Sequence, residues 1–396
     1  MIRPGIQVIL IIALAMMLCA CGPESTAAPS ALTPIQQLGK KLFFDENLSS
    51  SGEMSCATCH DPEVGFTGPD SDVNAGKVIY EGAEKGRFGN RKPSSASYTG
   101  YCPVLYYDNG KGSWVGGMFW DGRATGWAMN DPLAEQAQGP FLNPLEQNLA
   151  DAQEVCRIVA ASGYAGLFRD VWGKNSLDLT GDTGLIYDRI ARAIAAYEHS
   201  FEVDPFNSKY DYYLKGQATF TEQELWGLEL FKGKAGCVDC HPVESASAGK
   251  QPVFTDFTYH NLGIPKNPQN PFYTMPSEFN PDGEEWVDPG LGGFLKSENY
   301  AREVYEPEMG KHKTPSLRNV DLRPTPEFVK AYMHNGFFKS LDDVVHFCNA
   351  RDVGQFPEPE YAATVDKEGP GNLGLTSDEE TAIVAFLKTL SDGHAP

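Results

Sequence analysis

The chain has 396 residues, 41% of them hydrophobic and 11% aromatic, which exceeds what one hydrophobic core usually organises and argues for two globular domains. Its 53 acidic against 32 basic side chains leave a formal charge of -21. A field of that sign repels nucleic acid and anionic lipid headgroups alike, and favours a basic or neutral partner.

At the N-terminus Arg3 precedes an apolar run from Ile6 to Leu18, too short to span a bilayer comfortably, so residues 1–20 read as an export signal. The run ends in Leu18-Cys19-Ala20-Cys21, which resembles the lipobox of bacterial lipoproteins. Cleavage there leaves a diacylated Cys21, a lipid anchor that would hold the chain to a membrane in the periplasm. Ordinary cleavage near Ala27 or Ala28 is the alternative, because small residues stand there too. Residues 21–33, rich in Ser, Ala and Pro, then form a flexible tether.

Thr33 as N-cap and Pro34 in the first turn predict an amphipathic helix through Ile35, Leu38, Leu42 and Phe43. It leads into Cys56-Ala57-Thr58-Cys59-His60. A second helix opens at Thr221, with Glu224 in capping-box spacing, runs through Leu225, Leu228, Leu230 and Phe231, and leads into Cys237-Val238-Asp239-Cys240-His241. Each pentapeptide is a haem attachment signature. Two thiols three residues apart can bond the two vinyl groups of one haem, and the adjacent imidazole then falls over the iron as its proximal ligand. CxxC alone also suits redox or zinc chemistry, but two full motifs behind an export signal favour two covalent haem c groups. Gly39 and Gly227 hold matching places, so the chain carries two copies of one unit.

Between the motifs, Ile186 to Phe201 is helical by pattern, with Ile190, Ile194 and Tyr197 on one face, and a boundary falls near Pro205. The domains are thus 34–205 and 206–396. The segment from His241 to Lys313, rich in Pro, Gly and Asn, predicts loops and short strands, some of them wrapping the second haem. Thr376, with Glu379 three residues on, caps a closing helix with Ile383, Phe386, Leu387 and Leu390 on one face. The fold class is mainly α: two cytochrome c-like haem domains in tandem, with long loops and few short strands. Cys102 and Cys156 either form a disulfide or are two buried thiols. His199, His260 and His312 read as structural or surface residues, and His394 lies in a tail expected to fray.

Seven stretches carry a family resemblance: Leu42-Phe43-Phe44-Asp45, Met54 through Pro62, Phe119-Trp120-Asp121-Gly122-Arg123, Glu135-Gln136-Ala137, Asn143-Pro144-Leu145-Glu146, Thr314 through Val320, and Tyr332-Met333-His334-Asn335-Gly336. Nearly all of the chain beyond the signal resembles the bacterial dihaem cytochrome c peroxidase and MauG superfamily. The resemblance implies that peroxide reacts at the N-terminal haem, while the C-terminal haem has two protein ligands and passes or stores electrons. Resting cytochrome c peroxidases block the first iron with a histidine shortly after the first motif, whereas here no histidine stands between His60 and His199. The first haem should therefore be open from the start, as in MauG-like members, with Met118 and Met129 the side chains that could close it.

The same resemblance assigns a carboxyl and an amide for O–O cleavage, Glu146 and Gln136, with Pro140 shaping the pocket between them. It makes Trp120 a relay between the haems, and the stretch from Trp120 to Gln136 is longer than usual for the family around Trp127 to Pro132. The sixth ligand of the second haem falls at Cys348 by spacing from His334, with His346, Met333 and Met309 as alternatives; His334 itself takes a supporting role near the haems. Asn90 fits the side chain that holds an inter-domain calcium in the family, but the Thr-x-Pro carbonyl donors are lost in a lengthened Pro324 to Lys330. Hydrogen peroxide and a protein electron donor or protein substrate are the implied partners. A peroxide-scavenging cytochrome c peroxidase, and an electron-transfer cytochrome without peroxide turnover, are the competing readings.

Overall fold

A computed structural model describes residues 31–245 and 250–395. The export signal and the Cys21 anchor lie outside the described residues, as does all of the tether before residue 31. The chain is mainly helical, and among the described residues there are two small antiparallel sheets: Tyr106–Asp108 with Ser113–Val115, and Tyr259–His260 with His312–Lys313. No described helix is long and apolar enough to cross a membrane.

Local signals start the helices as the sequence predicts. In Pro34–Phe43 the Gln36 side chain accepts from the Thr33 N–H at 2.9 Å, and in Glu222–Lys232 the Glu224 carboxylate accepts from the Thr221 N–H at 2.6 Å. The middle helix spans Thr183–Glu198 and the closing helix Ser377–Lys388, the latter capped by Thr376. In each half of the chain a motif-preceding helix packs on a later helix. Leu38, Leu42, Phe43, Ile190 and Ile194 lie in one core, while Leu230, Phe231, Ile383, Phe386 and Leu387 lie in a second. Leu225 departs from the predicted face: it is 38% exposed.

The matching glycines sit where the helix backbones touch. A Cβ on Gly39 would lie 1.8 Å from the Ala193 carbonyl oxygen, and one on Gly227 would lie 1.9 Å from that of Ala382. Gly227→Ala gains helix propensity but forces two backbones apart, so we expect a net destabilisation of about 1–3 kcal/mol in urea unfolding. Gly166, in the helix Ala165–Trp172 with nothing within 4 Å of its added Cβ, is the control: Gly166→Ala should stabilise by about 1 kcal/mol.

The C-terminal tail is tied down rather than frayed. Asp392 accepts from Tyr98 Oη and from Asn319 Nδ2, both at 2.9 Å, and the His394 N–H donates to the Asn207 carbonyl. Cys102 and Cys156 are separate buried thiols, directed at the carbonyls of Gly117 and Thr183. Arg318, from the Thr314 to Val320 stretch, forms a fully buried ion pair with Asp211 and donates twice to the Pro252 carbonyl.

Candidate active site

Both attachment motifs fold alike. A short 3-10 turn holds Cys56–Thr58 and another holds Cys237–Asp239, and the His60 and His241 N–H groups close back on the Cys56 and Cys237 carbonyls. The imidazole Nδ1 of His60 lies 3.1 Å from the Phe66 carbonyl, and that of His241 lies 2.8 Å from the Phe254 carbonyl. A carbonyl only accepts, so Nδ1 carries the proton and Nε2 keeps its lone pair. Phe66 and Phe254 both sit at positive φ, 57° and 53°, which turns each carbonyl toward its histidine. Burial lowers the pKa of both imidazoles and keeps them neutral, as iron ligation requires. Burial likewise raises the four attachment thiols, Cys59 and Cys240 to about 12.

A cavity of about 480 Å³ opens beside the first motif. Cys56, Cys59 and His60 line it together with Gln136, Pro140, Glu146, Trp120 and Asn90, so every residue assigned to the peroxide-reacting haem meets in one space. Several buried polar atoms around it, both amide atoms of Gln147 and Oε2 of Glu198, have no hydrogen-bond partner. Paired thiols, a locked neutral imidazole and unsatisfied polar walls fit a covalently attached haem.

Another wall of the cavity is built by the helix Pro132–Leu142, capped by Asp131. The helix carries Gln136 and Pro140, and the turn after it returns Glu146 to the cavity: Glu146 N–H donates to the Asn143 carbonyl at 3.0 Å and Gln147 N–H to that of Pro140 at 3.1 Å. Burial raises the Glu146 carboxyl above its ordinary range, opposed by the Arg123 charge and a hydrogen bond from Asn143. Glu146 in turn helps to raise Cys59.

The lengthened segment before this helix is organised by Glu135, to which the sequence assigned no role. Its carboxylate accepts from the N–H groups of Gly126, Ala128 and Met129 at 2.7 to 3.0 Å. A carboxylate in the first turn after a loop with so many free N–H groups was the only signal available. Met129 is buried in the first core, and the sulfur of Met118, on the cavity wall, lies 3.5 Å from the Lys313 ammonium.

Trp120 donates its indole N–H to the Lys92 carbonyl at 3.0 Å, and its own carbonyl accepts from the Lys313 N–H. Its ring lies 6.5 Å from that of His334, which stacks on His312. Cys348 stands on the helix Leu341–Ala350 with its thiol raised to about 11 by burial. His346 points outward to Glu380 at 3.0 Å. Met333 packs on the second core, and the Met309 backbone lies against Gly292.

Two locked histidines behind paired thiols define a c-type cytochrome with two haems, and a carboxyl and an amide share the cavity beside one of them. The chain belongs to the di-haem cytochrome c peroxidase family, whose defining pattern matches residues 34–219. It is 34% identical to methylamine utilization protein MauG of Paracoccus denitrificans over 96% of this chain and 94% of that protein. Against cytochrome c551 peroxidase of Nitrosomonas europaea the identity is 29%, over 97% and 90% of the two chains. Among solved structures it resembles the diheme peroxidase BthA of Burkholderia thailandensis, with TM-score 0.76 and 30% identity over 93% of this chain and 88% of that one. It is thus an oxidoreductase with two haem c groups that acts on peroxide.

Proposed function

We propose that the N-terminal domain, 34–205, reduces hydrogen peroxide at the haem attached to Cys56 and Cys59, and that the C-terminal domain, 206–396, draws electrons from a protein through the haem attached to Cys237 and Cys240. The observation that carries this reading is Glu146, a carboxyl of raised pKa that shares the cavity with His60, Gln136 and Pro140. When bound, the haem iron supplies the electrons that break the O–O bond. Glu146 takes the proton from the inner peroxide oxygen and returns it to the outer one. The Gln136 amide donates to the charge that separates, and Pro140 shapes the pocket between the two. Trp120, its indole N–H held by a backbone carbonyl, offers a site for a transient positive charge on the way to the second domain.

Cys348 is our assignment for the second iron's sixth ligand, because of its spacing from His334 and its place on the helix Leu341–Ala350, whereas His346 is turned to solvent. A thiolate there would favour the ferric state. Export to the periplasm with a lipid anchor on Cys21 completes the reading. The protein donor either serves as reductant alone or is itself modified; steady-state turnover with reduced cytochrome c identifies the scavenger.

Electron paramagnetic resonance of the ferric protein tests the proposal. One high-spin and one low-spin signal, the former altered by peroxide, are expected; two low-spin signals would make the chain an electron carrier. Cys348→Ala should change the low-spin signal, and an unchanged spectrum removes it as ligand.

A further inference from the structure

The family's inter-domain calcium takes an asparagine side chain and backbone carbonyls, and around Asn90 the chain's own cations and amides hold several of the neighbouring oxygens. The Asn90 carbonyl accepts from Asn270 Nδ2 at 2.9 Å. Its neighbour Arg91 reaches three carboxylate oxygens at 2.6 Å: Nε and Nη2 grip Asp288 as a fork, and Nη1 meets Asp121. Burial works against this guanidinium charge, but the two carboxylates outweigh it and raise its pKa.

Backbone carbonyls are committed in the same way. In the lengthened segment that lost its Thr-x-Pro, the Lys330 Nζ lies 2.8 Å from each of the carbonyls of Val64, Asn319 and Leu322. Burial lowers its pKa, yet three acceptors call for three N–H bonds, which only the ammonium form possesses. These contacts join residues on both sides of the chain's midpoint: Arg91 to Asp288, and Lys330 to Val64.

Ligand atoms of Asp288, His312 and His334 also lie within 4.8 Å of one another, close enough for one transition-metal ion. Both Asp288 oxygens are held by Arg91. The two imidazoles stack with centroids 3.6 Å apart and planes 8° from parallel. A ring nitrogen's lone pair lies in its ring plane, so no single nearby ion can sit in both planes. A divalent ion would also face the Arg91 charge across Asp288.

We propose that the joint between the two haem-bearing halves is held by cations of the chain itself, Arg91 with Lys330, in place of a divalent metal ion. Beside Trp120 the chain then carries a guanidinium paired with Asp121 and Asp288, which neither dilution nor a chelator can remove.

The test uses the full holoprotein, dialysed with and without EGTA followed by EDTA. Metals are counted per two irons by mass spectrometry, and the ferric spectra and thermal midpoint are recorded. The expected result is calcium, zinc and copper each far below one equivalent, with spectra and midpoint unchanged by chelation. A stoichiometric metal whose removal shifts the spectra or the midpoint overturns the proposal. Arg91→Gln removes the bridge between the two carboxylates and leaves Asp121 with Arg123 and Asp288 with His312, so its midpoint should fall by several degrees and be partly restored by added calcium, which should not move the wild type. Arg91→Gln matching the wild type in EGTA also overturns it. If Arg91→Gln does not fold, Lys330→Met serves in its place: a lowered midpoint in EGTA is expected, and an unchanged one overturns the proposal. None of these readouts depends on peroxide turnover.

Discussion

Glu146→Gln should lower peroxide turnover by about 10²- to 10⁴-fold, the range for removing a positioned general acid–base group, while the ferric spectra of both haems stay as they were. Gln keeps the shape of Glu146 and its position after the Asn143 turn but can neither take nor return a proton. The pH dependence has a defined sign. Burial raises this carboxyl above its ordinary 4.5, so it stays protonated, and unable to accept a proton from peroxide, at a higher pH than a free carboxylate. Turnover should therefore fall as the pH drops through a value above 4.5, and that acid limb should vanish in the Gln variant. Stopped-flow kinetics over pH 4 to 8 provides the measurement. An unaltered rate would move the proton transfer to another group, and Glu198, a buried carboxyl that lines the cavity and has an unpartnered oxygen, would be the first to examine.

Asp211→Ala should cost about 3–5 kcal/mol of stability, because it strands a buried guanidinium. Arg318 and Asp211 have side-chain exposures of 0% each, and the carboxylate accepts from Nη1 at 2.6 Å and from Nη2 at 3.0 Å. Asp211 also receives the Ser208 N–H and hydroxyl, so its loss frees several buried polar groups at once. Urea denaturation followed by haem absorption would measure the effect. A loss below about 1 kcal/mol, the scale of an exposed pair, would show that water reaches the site and that the pair is not buried in solution. The Thr314 to Val320 stretch thus has a structural reason to recur: Arg318 crosslinks the helix Lys209–Leu214 to the Pro252 loop, and its motif neighbour Asn319 ties the C-terminal tail through Asp392.

How much of this was legible beforehand depended on the range of the interaction. The caps at Thr33, Thr221 and Thr376 were readable because a cap is settled within four residues. The attachment motifs were readable because covalent haem chemistry needs two thiols and an imidazole in one pentapeptide. Gln136, Pro140 and Glu146 could be placed by resemblance, and their common cavity follows from one helix and the turn that ends it. The frayed tail was misjudged because Asp392 finds Tyr98, 294 residues away, and no local pattern signals that contact.

By itself the sequence determined the two haem sites, the helices that precede them and the family, since all three rest on residues close together in the chain. Only the tertiary structure decided that Gly39 and Gly227 mark backbone contacts, that Phe66 and Phe254 orient the histidines, and that Arg91 and Lys330 bridge oxygens from both halves of the chain. Those outcomes depend on which distant carbonyl or carboxylate arrives at a given side chain. Packing of the whole chain sets that arrival, and no stretch of sequence carries it alone.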